Sequence, residues 1–200
     1  MFGLHRTQRP ALIIAGLGNP HKKYAYTRHN VGFLFLSVIE ERFGVRIEKK
    51  RFDSLTDVWQ EQGADILLLK PLTYMNLSGI AVQSAMKKYR LIPSDIIVVH
   101  DDMDLAVGRA KFDYNRSSAG HKGVESVIEK LGTREFYRIR IGIGKPGGSD
   151  TAVDYVLSEF NEQELDTLQT LLGKVLDGLL MFIGGKRQEA IEFVNKSTAG

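Results

Sequence analysis

GLGNPHKKYAYTRHNVG, Gly16–Gly32, is the stretch from which the rest of the chain can be placed. It follows a short apolar run, Leu12-Ile13-Ile14-Ala15, with the length and branching of a buried strand. Gly16 and Gly18 allow φ > 0 or a close approach to the backbone, and Pro20 fixes one dihedral and removes a donor. Thr27-Arg28-His29-Asn30 then leads into apolar positions at helix spacing. A strand end, a turn and a helix start therefore bring Asn19, Tyr24 and His29 together, which suits a site. The dinucleotide-binding pattern G-x-G-x-x-G fails here: its third glycine position is His21, and Pro20 sits where the helix should open.

Working outward, strand and helix patterns alternate. Val31, Leu34, Phe35, Val38 and Ile39 follow helix spacing, with Gly44 as a stop. Val45–Phe52 is basic and reads as a solvated edge. Leu55–Glu61 and Ile66–Lys70 read as a hairpin turned at Gln62-Gly63. A helix runs from Gly79 towards Leu91, and Ile96–His100 is a buried strand followed by an acidic loop, Asp101-Asp102-Met103-Asp104. Arg109–Tyr114 is a strand, Ser117–Gly120 a small-residue loop and His121–Leu131 a helix. Tyr137–Gly144 alternates as a strand, with Arg138 and Arg140 on one side, and Gly147-Gly148-Ser149 is a loop. Asn161 with Glu164 three residues on is a capping box, opening a long helix with a stripe of Leu165, Leu168, Leu172, Val175, Leu176 and Leu179. A last helix spans about Lys186 to Val194. The class is α/β: one catalytic domain over 11–200, a twisted, mostly parallel (mixed) sheet with helices on both faces, preceded by a frayed N-terminal extension, 1–10. Ligands of such sheets bind beyond the carboxyl ends of strands. Asn19, the pair Tyr74 and Asn76, and His100-Asp101 all stand at such ends.

Composition narrows the chemistry. The 200 residues are 43% hydrophobic and 26% charged, ordinary for a soluble globular protein. The absence of cysteine excludes disulfides, thiol nucleophiles and thiolate zinc sites, and is compatible with a cytoplasmic location. No apolar run has the length of a membrane span or of a signal-peptide core. A net charge of +3 permits a nucleic-acid partner without requiring one.

His29 is the best general-base candidate, and Asp101 at a strand end is a suitable carboxylate to orient its ring. No G-x-S-x-G elbow is present, so water activated by His29 is simpler than a serine nucleophile. Asn19 and Asn76 can donate to a carbonyl, or can be turn residues. Tyr24, Tyr74 and Met75 can stack a base, or pack a core. Lys111, Lys122, Arg138, Arg140 and Lys145 can follow a phosphate backbone, or form a solvated face. The HDDMD run, His100–Asp104, with His29 and His121 could hold a divalent ion, but no paired-histidine spacing supports it.

Four blocks together resemble bacterial-type peptidyl-tRNA hydrolases, from about Leu12 to about Phe193. They are GLGNP…Y..TRHNVG, KPLTYMNLSG (70–79), VVHDDMDL..G (98–108), and GHKGVESVIEKLG (120–132) followed by FYRIRIGIGKP (136–146). The resemblance implies hydrolysis of the ester between peptide and tRNA, recycling tRNA from peptides lost during translation. It implies a metal-independent, cofactor-free cytoplasmic monomer with peptidyl-tRNA as partner. By the same resemblance His29 activates water, Asp101 holds it basic and Asn19 senses the peptide end. Tyr24, Tyr74 and Asn76 would line the channel, His121 would close it, and Lys111 and Arg140 would contact phosphate. A non-catalytic RNA-binding relative of the same fold is the alternative. Three positions depart from the commonest pattern: His21 for glycine, Lys122 for asparagine after the loop histidine, and Asp113 for a second basic residue beside Lys111. Asp113 is expected to share a face with Lys111 and to repel phosphate or occupy that lysine.

Overall fold

Side chains alternate along each central strand between two cores, one on each face of a single sheet. The computed structural model describes residues 9–147 and 151–197. Its elements are β1 (Leu12–Gly16), α1 (Val31–Phe43), β2 (Lys49–Arg51), β3 (Ser54–Glu61), β4 (Ala64–Pro71), α2 (Ser78–Tyr89), β5 (Ile96–Asp102), β6 (Ala110–Tyr114), α3 (Lys122–Leu131), β7 (Tyr137–Gly142), α4 (Ala152–Leu157), α5 (Glu162–Ile183) and α6 (Arg187–Lys196). Strand order is β2-β3-β4-β1-β5-β7-β6. The middle pairings, β1 with β4 and β5, and β5 with β7, are parallel, while β2, β3 and β6 join antiparallel at the margins. The sheet is thus mixed, as expected, with the parallel part confined to the centre.

Ile14, Ile66, Leu68, Ile97 and Val99 face α1, α5 and α6, whereas Ile13, Ala15, Leu67, Leu69, Ile96 and Val98 face α2 and α3. Both faces are apolar because both are covered, which is why these strands read as unbroken apolar runs. The connection after β1 goes to one face through α1, and that after β4 goes to the other through α2. The crevice where they diverge lies at the carboxyl ends of β4, β1 and β5, the usual binding place in such sheets.

Close backbone approaches shape this end. A Cβ on Gly16 would lie 2.3 Å from the Gly32 carbonyl oxygen, and one on Gly32 would lie 2.4 Å from Leu17 N. The two glycines are therefore needed for contact between the strand end and the start of α1, and neither has positive φ. On the other face Gly79 lets α2 meet α3, since its Cβ would stand 2.1 Å from Ser126 O. At the far margin, Asn195 of α6 exchanges two hydrogen bonds with the Phe112 backbone, at 2.7 and 3.3 Å, and so covers the edge of β6.

Several expectations need correction. Asp101 and Asp102 are the last residues of β5, which runs through His100, so they are not in a loop. Leu165 is 37% exposed and Leu171 takes its place in the buried stripe of α5. The helix after β4 ends at Tyr89, short of Leu91, with Arg90 in a left-handed conformation. α4 was absent from the sequence reading, although Thr151-x-x-Asp154 is a capping signature; the Thr151 side chain does accept from Asp154 N. Of the expected extension, 1–8 lie outside the described residues, while Pro10 is buried and Arg9 donates to the Arg90 carbonyl. Gly148 and Ser149 of the expected loop also lie outside them.

Candidate active site

His29 sits on a single helical turn, Arg28–Asn30, between the glycine turn and α1. Its Nδ1 lies 2.8 Å from Asp101 Oδ1. Asp101 is buried, and burial alone would raise its carboxyl; the electrostatic pull of the His121 and His29 rings and the hydrogen bonds they donate outweigh burial and hold it well below the usual carboxylate range. An ionised carboxylate can only accept, so the His29 proton is assigned to Nδ1. Nε2 is left without a protein partner among the described residues, on a cavity of about 700 Å³ that His29 helps line.

Asn19 is held from both sides. Its backbone N–H donates to Asn30 Oδ1 at 2.8 Å, and Asn30 Nδ2 returns a bond to its carbonyl at 3.0 Å. Its side-chain Oδ1 accepts from Met75 N at 3.1 Å. That leaves the Asn19 Nδ2 donors for the cavity. The carboxyl end of β4 contributes Tyr74, 69% exposed, and Asn76 beside the buried Met75.

His121 closes the third side. Its Nε2 lies 2.8 Å from the same Asp101 oxygen that His29 contacts. Its Nδ1 accepts from Gly123 N and Val124 N at 3.1 and 3.2 Å, capping α3. His100 faces its ring at 4.7 Å and donates through Nδ1 to the Asp101 carbonyl at 2.7 Å. Burial, with His121 alongside, pushes the His100 imidazole well below its ordinary value, so this ring is neutral.

Seven of the ten residues expected to act on or bind the substrate therefore line one cavity: Asn19, His29, Tyr74, Asn76, Asp101, His121 and Lys122. Tyr24, Lys111 and Arg140 do not. The Tyr24 ring packs under Lys23 Nζ at 4.7 Å. Lys111 Nζ donates to the Asn195 carbonyl at 3.1 Å. Arg140 is gripped by Asp102 at 2.6 Å and Asp113 at 2.8 Å. Asp113 thus occupies Arg140 and leaves Lys111 to α6, contrary to the expected pairing. Asp113 stands directly opposite Arg138, but the Arg138 guanidinium donates to the carbonyls of Ser117 and Arg116, so the carboxylate reaches diagonally to Arg140 on the shared face. Lys122 is paired with Glu125 at 3.0 Å, with its side chain 71% exposed.

The fourth wall lies outside the residues expected at the site. Ala152, Val153, Val156 and Leu157 of α4 line the cavity, although α4 buries none of its residues. Arg28 is a further unexpected contributor. This buried side chain pairs with both carboxylate oxygens of Glu164, at 2.9 and 2.7 Å, and its guanidinium lies 4.6 Å from the Tyr155 ring and 4.8 Å from that of Phe160. Arg28 therefore ties the turn carrying His29 to α4 and to the start of α5.

The donor set His29, Asp101 and His121 brings three ligand atoms within 4.8 Å of one another. It does not fit a metal. A histidine that ligates through Nε2 carries its proton on Nδ1, but His121 Nδ1 faces two backbone N–H groups. The remaining carboxylates of the HDDMD run are turned elsewhere, Asp102 to Arg140 and Asp104 to Lys145.

A family profile described as peptidyl-tRNA hydrolase matches residues 13–199. This chain belongs to the peptidyl-tRNA hydrolase family. The peptidyl-tRNA hydrolase of Trichlorobacter lovleyi is 42% identical over 191 residues, covering 93% of this chain and 96% of its own. That of Thermodesulfovibrio yellowstonii is 40% identical over 187 residues, covering 92% and 99%. A crystal structure of peptidyl-tRNA hydrolase from Acinetobacter baumannii superposes with a TM-score of 0.90 at 29% identity, covering 94% of this chain and 96% of that one. The family resemblance of the four sequence blocks and the fold therefore agree. No helix among the described residues is long and apolar enough to cross a membrane.

Proposed function

We propose that this hydrolase cleaves the ester between the peptide and the 3′-terminal ribose of peptidyl-tRNA, by water attack with His29 as general base. The observation that carries the reading is the 2.8 Å bond from His29 Nδ1 to a buried, ionised Asp101, which leaves Nε2 as a lone pair on a large cavity. Nε2 takes a proton as water adds to the ester carbon. Asp101 stabilises the imidazolium that forms. The oxyanion needs donors, and Asn19 Nδ2 and Asn76 are the neutral amides at the cavity. Collapse of the tetrahedral intermediate expels the ribose oxygen, which takes the proton back from His29. Base, carboxylate and donors are all side chains of this chain, so the step needs no cofactor.

Asn19, with Oδ1 held by Met75 N, presents only donors, and this supports a role in sensing the blocked peptide end by donating to its acyl carbonyl, which a free ammonium lacks. Tyr74 and Asn76 offer an aromatic face and an amide at the cavity mouth, suited to the 3′-terminal nucleotide. Action as a cytoplasmic monomer is part of the same proposal, supported by the family and the cysteine-free composition. The test compares hydrolysis of N-blocked and unblocked aminoacyl-tRNA by purified protein. Cleavage confined to the blocked ester is expected. Tight tRNA binding without any cleavage would favour the non-catalytic alternative.

A further inference from the structure

Two histidines share one oxygen of Asp101, and they are not equivalent. His29 Nδ1 and His121 Nε2 each lie 2.8 Å from Oδ1, with ring centroids 5.0 Å apart. His29 has a free Nε2. His121 has none, because its Nδ1 accepts two backbone N–H bonds at the start of α3. A nitrogen that accepts carries a lone pair, so the His121 proton resides on Nε2. Moving or adding a proton to Nδ1 would set an N–H against two N–H groups, at the end of a helix whose partial charge is positive. The helix cap therefore locks His121 as a neutral donor aimed at Asp101.

The other charged groups around this pair are directed elsewhere. Asp102 of β5 is paired with Arg140, Lys122 of α3 with Glu125, and Arg28 with Glu164. Asp154 of α4 is bonded to Thr151, and His100, packed on His121, is neutral. Asp101 is thus the charge in contact with His29, and His121 takes part of it by donating to the same oxygen.

We propose that His121 is a positioning residue: by capping α3 it is fixed as a donor that pins the Asp101 carboxylate and limits how strongly that carboxylate retains a proton on His29. This rests on His29 being the general base and goes beyond a role for His121 as a channel wall. Remove the His121 bond and the whole charge of Asp101 falls on His29. Its imidazolium is then favoured, and more alkaline solution is needed to free the base.

The discriminating variant is His121→Ser. Serine is a good helix N-cap, so α3 keeps its acceptor, but its side chain is too short to reach Asp101. With peptidyl-tRNA as substrate, kcat at pH 7 should fall roughly three- to tenfold, KM should change little, and the acid limb of the pH–kcat profile should move up by about one pH unit, with the high-pH plateau retained. A raised KM with an unmoved pH profile would overturn the proposal and return His121 to substrate contact alone. So would a uniform loss of kcat at every pH. Nitrogen-15 spectra of the wild-type imidazoles supply a second measurement that needs no variant and no turnover. His121 should show an unprotonated Nδ1 and a protonated Nε2 throughout the pH range in which the enzyme is active; protonated Nδ1 would overturn the proposal even in a protein that cleaves normally. Absence of cleavage by the wild type would sink the general-base reading, and the spectra would still report on the lock.

Discussion

In the proposed mechanism His29 is the base because its proton is fixed on Nδ1 and its Nε2 lone pair opens on the cavity, whereas His100, with its proton likewise fixed on Nδ1, has its Nε2 buried. His29→Ala should lower kcat by roughly 10²–10⁴-fold and leave the far-ultraviolet spectrum close to wild type, with a lowered thermal midpoint because the buried Asp101 loses one of its two histidine donors. Near wild-type turnover in the folded variant would remove His29 from the mechanism. Asp101→Asn keeps a side chain of the same shape but cannot stabilise an imidazolium, so kcat should drop more than KM rises. The same residue makes a pH prediction. The Asp101 carboxyl is held well below its unfolded value, and that of Glu164 is lowered because the hydrogen bond from Arg28 outweighs burial. For a depressed carboxyl the stabilisation is complete above the unfolded value, near ~4, and is lost as pH falls below it. Chemical denaturation should therefore show stability level from neutrality to about pH 5 and falling steeply below about pH 4. A profile flat down to pH 3 would show that neither pair contributes.

At the scale of elements, the cavity is assembled by contacts that local sequence does not announce. α4 is six residues long and buries none of them, so it is placed by its neighbours. Tyr155 Oη donates to Ile143 O at 2.6 Å, and Arg28 N donates to Ser158 O at 2.9 Å. Arg28 is the hub of this arrangement. Glu164→Gln leaves the guanidinium buried without its carboxylate and should destabilise by about 3–5 kcal/mol, nearer the lower figure because Glu164 is 21% exposed. Hydrogen exchange should increase in both the 28–30 turn and α4. Increase in α5 alone would show that the ion pair serves the capping box and not the site. Gly79→Ala tests the opposite face. Its Cβ would meet the α3 backbone at Ser126 O, so a cost of roughly 1–3 kcal/mol is expected, read as a lowered thermal midpoint.

For the whole molecule, the groups expected to hold the tRNA body differ in how their charge is shared. Lys111 spends one donor on a carbonyl of α6 and keeps its charge, whereas the charge of Arg140 is shared with two carboxylates. The hydrogen bonds that Arg140 donates to Asp113 and Asp102 outweigh burial and raise its guanidinium above its usual value. Asp113→Asn would release one of these grips. Binding of full-length tRNA should tighten, and the slope of log K against log salt should steepen by about one, while hydrolysis of a minimal ester lacking the tRNA body stays as it was. An unchanged slope would place the tRNA body on another face. Prolonged dialysis against a chelator should leave cleavage intact, because the histidine that would complete a metal site spends its second nitrogen on a helix cap. Activity lost on chelation and restored by one divalent ion would reverse that conclusion.

The central strands, the hairpin, the capped α5 and the placement of Asn19, Asn76 and Asp101 at strand ends were all legible in the chain, because each depends on periodicity or on residues within a few positions of one another. The family blocks add the pairing of His29 with Asp101, which spacing alone does not give. What remained hidden depended on partners far apart in sequence. Arg28 and Glu164 are 136 residues apart, and nothing near either marks the pair. The extension of β5 through Asp101 and Asp102 looked like an acidic loop, because charges seldom end a buried strand unless partners such as His29 and Arg140 await them. Asp113 and Lys111 share a face by local alternation, yet Arg140 on the neighbouring strand captured the carboxylate, since register decides which charges meet. Sequence by itself determined the elements and the chemical types at their ends. Tertiary structure decided which of those groups share a proton, which neutralise one another, and which are left free to act, because hydrogen bonds and ion pairs are settled over a few ångströms that the chain order does not encode.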